Sequence, residues 1–213
     1  MKTVLIKGKT LRISSIEDYI TDKDSLGIYS YKTANNICKQ LNIQCPYISL
    51  VNNLVREEGT VLGGITYTPK DLKGLDNNLV IMSTNDYNPY QFTGTLAHEM
   101  RHIYQAKFNP EINKKTAKGF KDSLNHPAEI DADGYGIWYI SNVYHMTIEK
   151  AAEYMCPEEK KKYPNAHQKR IDKAYEIKAE MDARYEAIKQ APNKPYKTLF
   201  LNKLKQKFNK KGN

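Results

Sequence analysis

The chain has 213 residues, with 33 Lys and Arg against 24 Asp and Glu, a formal net charge of +9 and three cysteines. That length suits one domain with a proper core and a helical extension. No apolar run approaches the roughly 18 residues of a membrane span. The Val4-Leu5-Ile6 patch is too short for a signal peptide, and Cys38, Cys45 and Cys156 lack C-x-x-C spacing, so a cytoplasmic protein is expected.

Residues 3–13 predict a strand or hairpin around Gly8, 33–41 a short helix with Asn35, Asn36 and Gln40 on its polar face, and 47–51 another strand. Residues 60–67 and 78–83 read as two strands around a Pro-, Lys-, Asp- and Gly-rich connection. A peptide substrate commonly adds itself as a strand to an exposed sheet edge, and Gly63, Gly64 and Ile65 are the candidate edge. The two glycines suit a close backbone approach or a bulge equally well.

Asn88-Pro89 is a helix start, with Asn as cap, Pro at the first helical position and Gln91 placed for a capping box. The helix should run to about residue 108, weakened somewhat by Gly94, with Leu96, Ala97, Met100 and Ile103 as its core stripe. Off that stripe lies His98-Glu99-Met100-Arg101-His102, an H-E-x-x-H motif. Residues four apart share a helical face, so both imidazoles can point at one ion, and Glu99 projects beside them where a carboxylate can take a proton from water. A polar loop follows over 109–127, carrying Lys114, Lys115, Lys118 and Lys121, and it suits part of a cleft or a lid.

Pro127 opens a second helix, predicted to reach about residue 143, with Glu129 in its first turn and Asp133 four residues later on the same face. A catalytic zinc usually has three protein ligands, and Glu129, Asp133, Asp131 and His126 all offer acceptable chemistry for the third. H-E-x-x-H followed by E-x-x-A-[DN]-x-[FY], matched here by Glu129, Ala132, Asp133 and Tyr135, resembles the gluzincin metallopeptidases, especially the compact ImmA/IrrE-like minigluzincins. The resemblance covers roughly 62–139 and includes a strand pair ahead of the metal helix, Gly64 to Tyr67 and Val80 to Met82. It implies that Glu129 is the third zinc ligand and that Asp133 accepts a hydrogen bond from a ligand histidine. Bottom-up chemistry agrees on the second role, since a ligating His usually donates its other N–H to a carboxylate or carbonyl. Arg101 departs from the pattern, standing where many relatives have Gly; the expectation is an altered exposed face and untouched metal chemistry.

Residues 147–155 predict a short helix capped by Thr147, and 165–190 a long one with an apolar stripe of Ile171, Ala174, Met181, Tyr185 and Ile188. The tail 192–213 holds Lys194, Lys197, Lys203, Lys205, Lys207, Lys210 and Lys211 and no acidic residue, with Phe200, Leu204 and Phe208 at helical spacing. Such a tail can contact nucleic acid, an anionic membrane or a partner protein, or fold its stripe back on the domain. The expected architecture is α+β and zincin-like, a small, mostly antiparallel sheet packed on an active-site helix and a glutamate helix, with domain 1–191 followed by the basic tail. The expected function is zinc-dependent endopeptidase action on a protein substrate, with a regulatory protein implied by the resemblance. Here His98, His102 and Glu129 hold Zn2+, Glu99 is the base, and Tyr104, Tyr135, Tyr139 and His145 are unranked oxyanion donors. The rival is a non-catalytic metal-containing module that binds nucleic acid or a partner through the tail.

Overall fold

The computed structural model describes residues 2–6, 9–13, 25–55, 62–71, 73–84, 88–113 and 120–190. The lysines at 114–119 and the tail 192–213 lie outside them. The chain separates into two units, Met1–Ile177 and Lys178–Asn213.

In the first unit, β1 (Lys2–Ile6) and β2 (Lys9–Ile13) pair antiparallel as a sheet of their own. Helix α1 (Ser25–Leu41) starts well before the expected residue 33. Gly27, Ile28 and the tyrosines of its first half are weak helix formers, so local propensity hid it. Burial carries it instead: Ser30, Thr33, Ala34, Ile37, Cys38 and Leu41 recur at helical spacing and are all buried.

Strands β3 (Tyr47–Val51), β4 (Gly64–Tyr67) and β5 (Leu79–Ser83) form the second sheet in the order β3-β5-β4. The expectation of a mostly antiparallel sheet needs correction, because β5 runs antiparallel to β4 but parallel to β3. The chain leaves β3, crosses to the far edge to make β4, and returns along the vacant middle; a strand inserted between two opposed neighbours must be parallel to one of them. Both faces of β5 are covered, which explains its continuous apolar run. Leu79 and Ile81 join Leu54, with Val51, Leu62, Ile65, Tyr67 and Leu75 packed around them. Val80 and Met82 point the opposite way and are equally buried.

Helix α2 (Pro89–Phe108) begins where the sequence predicts it, with Asn88 Oδ1 accepting from Tyr90 N at 3.0 Å and Gln91 N at 3.3 Å. Leu96, Ala97, Met100 and Ile103 are its buried stripe. A 3-10 turn (Pro110–Asn113) and the short α3 (Phe120–Ser123) lead to α4 (Pro127–Val143). Helices α2 and α4 cross so closely that a Cβ on Gly136 would fall 2.6 Å from the Gly94 carbonyl oxygen, with Met155 filling the space beside it. Gly136 therefore lets the two backbones meet, while Gly94, which weakens the helix taken alone, makes room for the Met155 side chain.

After α5 (Ile148–Met155), capped by Thr147, and α6 (Glu159–Lys162) comes α7 (Pro164–Gln190). Its buried positions are Ala166, His167, Arg170, Ile171, Ala174 and Ile177. Among the described side chains the stripe thus contains an arginine and has Ile177 as its last buried position, and the side chain of Ile188 lies outside them. In the second unit the helix is charged along its surface, with Lys178–Asp182 and Arg184–Glu180 pairs, and Tyr185 is exposed rather than part of a stripe. No helix among the described residues is long and apolar enough to cross a membrane.

Candidate metal centre

His98 and His102 lie one turn apart on α2, and Glu129 sits in the first turn of α4. The Nε2 atoms of the two histidines are 3.0 Å apart. Glu129 Oε2 lies 3.5 Å from His98 Nε2, and Oε1 lies 3.7 Å from His102 Nε2. Ligands at zinc's usual 2.0–2.2 Å bonds in a tetrahedral arrangement stand about 3.3–3.5 Å from one another, so one ion fits among these three donors. Among the described residues, this is the one group of three or more His, Cys, Asp or Glu side chains arranged to hold a metal ion.

Hydrogen bonds fix which ring nitrogens face that point. His98 Nδ1 lies 2.7 Å from Asp133 Oδ1, and His102 Nδ1 lies 2.9 Å from Gln105 Oε1. A carboxylate only accepts, and so does an amide oxygen, so each Nδ1 carries the proton and donates it. Both Nε2 atoms then present lone pairs, converging with a carboxylate. Three acceptors aimed at one point require a cation there. In the bare protein a proton serves this role: burial opposes charging His98, but Asp133, Glu129 and Glu99 outweigh it and hold its pKa well above the ordinary value. The partner carboxylates respond in kind. Burial would raise Asp133, yet the charges of His98 and Arg170 bring it down to about 2. Glu129, also opposed by burial, is lowered by its hydrogen bond to His98 and by the charges of both histidines.

Asp133 is steadied from a helix the sequence did not connect with the centre. Arg170 of α7 donates from Nε to Asp133 Oδ2 at 2.6 Å, stands 3.2 Å from Glu159 Oε2, and donates from Nη1 to the Leu124 and Ala166 carbonyls. The available signal was an arginine one turn from Ala166 and Ala174 on the apolar face of α7.

Glu99 is buried beside the sheet. The Thr66 hydroxyl of β4 lies 2.7 Å from Glu99 Oε2 and 2.9 Å from its main-chain carbonyl. A Cβ on Gly64 would fall 2.8 Å from Glu99 Cγ, so the bare glycine leaves room for the Glu99 side chain against β4. Gly63 sits against Thr95 and accepts from Ser83 N through its carbonyl. Ile65 pairs with Ile81.

Comparison with protein-family models, curated proteins and solved structures finds no match.

The remaining candidates are dispersed. Asp131 is bound to Arg101 and Gln105, and His126 stands at the N-cap of α4, so neither belongs to the converging group. Tyr135 is fully buried with its hydroxyl donating to Gln40 Oε1 at 3.1 Å. Tyr139 is buried about 15 Å along α4 from Glu129, and burial pushes its pKa to about 12. Helix α4 extends about 21 Å from Glu129 to Val143, and His145 lies exposed beyond that end. Tyr104 is nearly opposite His102 around α2, its ring centroid 4.3 Å from the Arg101 guanidinium. His145 is not a member of the converging group. Arg101 also corrects its expectation: it is buried rather than part of an exposed face.

Proposed function

We propose that the chain is a zinc-dependent endopeptidase of the gluzincin type, with His98, His102 and Glu129 as the metal ligands and Glu99 as the general base. One observation carries this reading: two imidazole Nε2 atoms of fixed orientation and the Glu129 carboxylate converge, 3.0–3.7 Å apart, beside a second, buried carboxylate, Glu99. The chemistry of the donor set fits zinc, whose catalytic sites take His2Glu and keep a further position for water. The side chains of His98, His102 and Glu129 are 14%, 20% and 27% exposed, which leaves the group reachable from solvent. A zinc ion held there would lower the pKa of its water to roughly 7 and polarise a scissile carbonyl.

The rest is work for the chain's own groups. Glu99 accepts the proton of the attacking water and returns it to the leaving amine, with Thr66 holding Oε2 in place. The substrate reading follows from β4, which among the described residues has a strand partner, β5, on one side only. Because Ser83 N bonds the Gly63 carbonyl, alternation directs the N–H and C=O of Gly64 and Thr66 away from β5. An extended peptide aligned on those groups would run past Glu99. The resemblance to ImmA/IrrE-like enzymes makes a regulatory protein our proposed substrate, by analogy of motif.

The test is cleavage of a proteome-derived peptide library by zinc-loaded protein, with Glu99→Gln alongside. The expected result is cleavage by the wild type and none by the variant, which still binds zinc one to one. Full activity in Glu99→Gln would overturn the reading.

A further inference from the structure

The histidines of the metal centre are held by different devices, and the one on His102 runs through the residue that departs from the family pattern. Gln105 is buried, and its amide nitrogen donates both to the Ala128 carbonyl at 2.9 Å and to Asp131 Oδ2 at 2.8 Å. With two acceptors on that side, the nitrogen cannot be exchanged for the oxygen, so Oε1 must face His102 Nδ1 at 2.9 Å. Asp131 is held in turn by Arg101, which donates from Nε to Oδ2 at 2.8 Å and from Nη2 to Oδ1 at 3.1 Å. Arg101 Nη1 is buried with no hydrogen-bond partner, and the guanidinium lies 4.3 Å and 5.3 Å from the Tyr104 and Tyr135 ring centroids. Lys173 adds a second cation, 3.8 Å from Asp131 Oδ1.

We propose that Arg101, Asp131 and Gln105 form a positioning relay that fixes the tautomer of His102, so that the fourth residue of the H-E-x-x-H segment acts on metal binding without touching the metal. The reasoning is one of elimination. Were Gln105 free to turn over, its NH2 would face His102 Nδ1, which would then have to accept. The ring proton would move to Nε2 and point at the metal position, a form that cannot ligate. The acceptors on Gln105 forbid that turn, and Asp131 can be one of them because the bidentate Arg101 contact holds both its oxygens in register. Gln105 follows His102 by three residues and so shares its face of α2, while Arg101 and Asp131 bridge α2 to α4.

The inference rests on the metal-site reading for its consequence, but the tautomer can be read without metal. The experiment is nitrogen-15 NMR of the imidazoles in full-length, metal-free protein at alkaline pH, followed by Zn2+ and Co2+ titration against a competing chelator. The variants are Gln105→Leu and the paired replacement Arg101→Met with Asp131→Leu. The pair exchanges a buried ion pair for apolar groups of similar volume, which folded proteins commonly tolerate, whereas either single change would leave a buried charge unpaired. The wild type should show His102 protonated at Nδ1 alone. Both variants should populate the Nε2–H form, and both should bind Zn2+ about 10- to 100-fold more weakly, with an altered Co2+ absorption band. The relay is overturned if His102 remains Nδ1–H in the folded variants, or if their Zn2+ affinity equals that of the wild type, since the three residues would then only tie two helices together. A wild type that binds no Zn2+ but loses its single tautomer in the variants would count against the proposed function and leave the relay standing.

Discussion

The Nε2 atoms of His98 and His102 face each other at 3.0 Å, each on a ring whose Nδ1 proton is already committed to an acceptor. Two lone pairs in that position repel unless a cation lies between them. Glu129, arriving from another helix, makes the demand stronger.

Arg170 should matter to both stability and metal binding. It is the cation beside Glu159 and, with His98, one of two facing Asp133, and it is almost wholly buried. Arg170→Ala leaves Glu159 without its guanidinium partner and Asp133 with His98 alone, and should cost about 3–5 kcal/mol of unfolding free energy in urea titrations. Asp133→Asn, which keeps the shape and weakens the acceptor, should instead reduce Zn2+ affinity about 10- to 100-fold in chelator competition. An unchanged affinity would show that the bond to His98 is incidental.

The metal-free protein should have its greatest stability in a window set by the charged groups around Asp133 and His98. Asp133 falls from 3.8 to about 2 on folding, so its stabilisation is complete above roughly pH 4 and is lost as pH falls through about 2. That shift corresponds to about 2 kcal/mol. His98 runs the other way: its pKa is raised from 6.5, so its contribution is complete below that value and fades as pH climbs through the folded pKa. The His98–Asp133 contact is common to both shifts and counts once, with Arg170 adding to the Asp133 end and Glu129 and Glu99 to the His98 end. Urea denaturation across pH 2–9 should show a plateau between about pH 4 and 6.5, and Asp133→Asn should flatten both flanks. A variant curve that parallels the wild type would contradict this.

Gly64→Ala tests the base without touching a ligand. The new methyl would meet the flexible Glu99 side chain and Met82 Sδ rather than backbone, so the fold should survive while the carboxylate shifts. Turnover should drop on the order of tenfold or more, because a displaced base forfeits part of its contribution, while Zn2+ affinity stays unchanged. Loss of both together would mean that Gly64 serves folding only.

Gly136→Ala addresses the frame. Its methyl would fall against the Gly94 carbonyl and the end of Met155, and backbone cannot yield as a side chain does. A loss of about 1–3 kcal/mol is expected from thermal or chemical unfolding, as for other overpacked cores. Shortening the obstruction with Met155→Ala should recover little, since the carbonyl remains.

Much of this arrangement was legible in the chain. Asn88-Pro89 and Pro127 start the two helices that bear His98, His102 and Glu129, because caps and first-turn prolines are local signals. Leu96, Met100 and Ile103 mark the buried stripe by spacing alone. What escaped depended on distant partners. Arg101 was read as exposed because charged side chains are usually at the surface, and its partner Asp131 lies on another helix. Arg170 sits inside an apolar stripe, a signal that was present but gave no hint of Asp133. The parallel pairing of β3 with β5 leaves no mark in either strand, since it follows from where β4 lies. Thr66 alternates like any strand residue, and only the packing of α2 on β4 brings it to Glu99.

The most direct test of the central claim is zinc K-edge X-ray absorption on full-length protein loaded with one equivalent of Zn2+. The account predicts two imidazole nitrogens and one carboxylate oxygen from the chain at about 2.0–2.2 Å, with one further light-atom neighbour, and loss of that carboxylate in Glu129→Ala. Failure to bind zinc, a sulfur neighbour, or a spectrum indifferent to Glu129→Ala would contradict it.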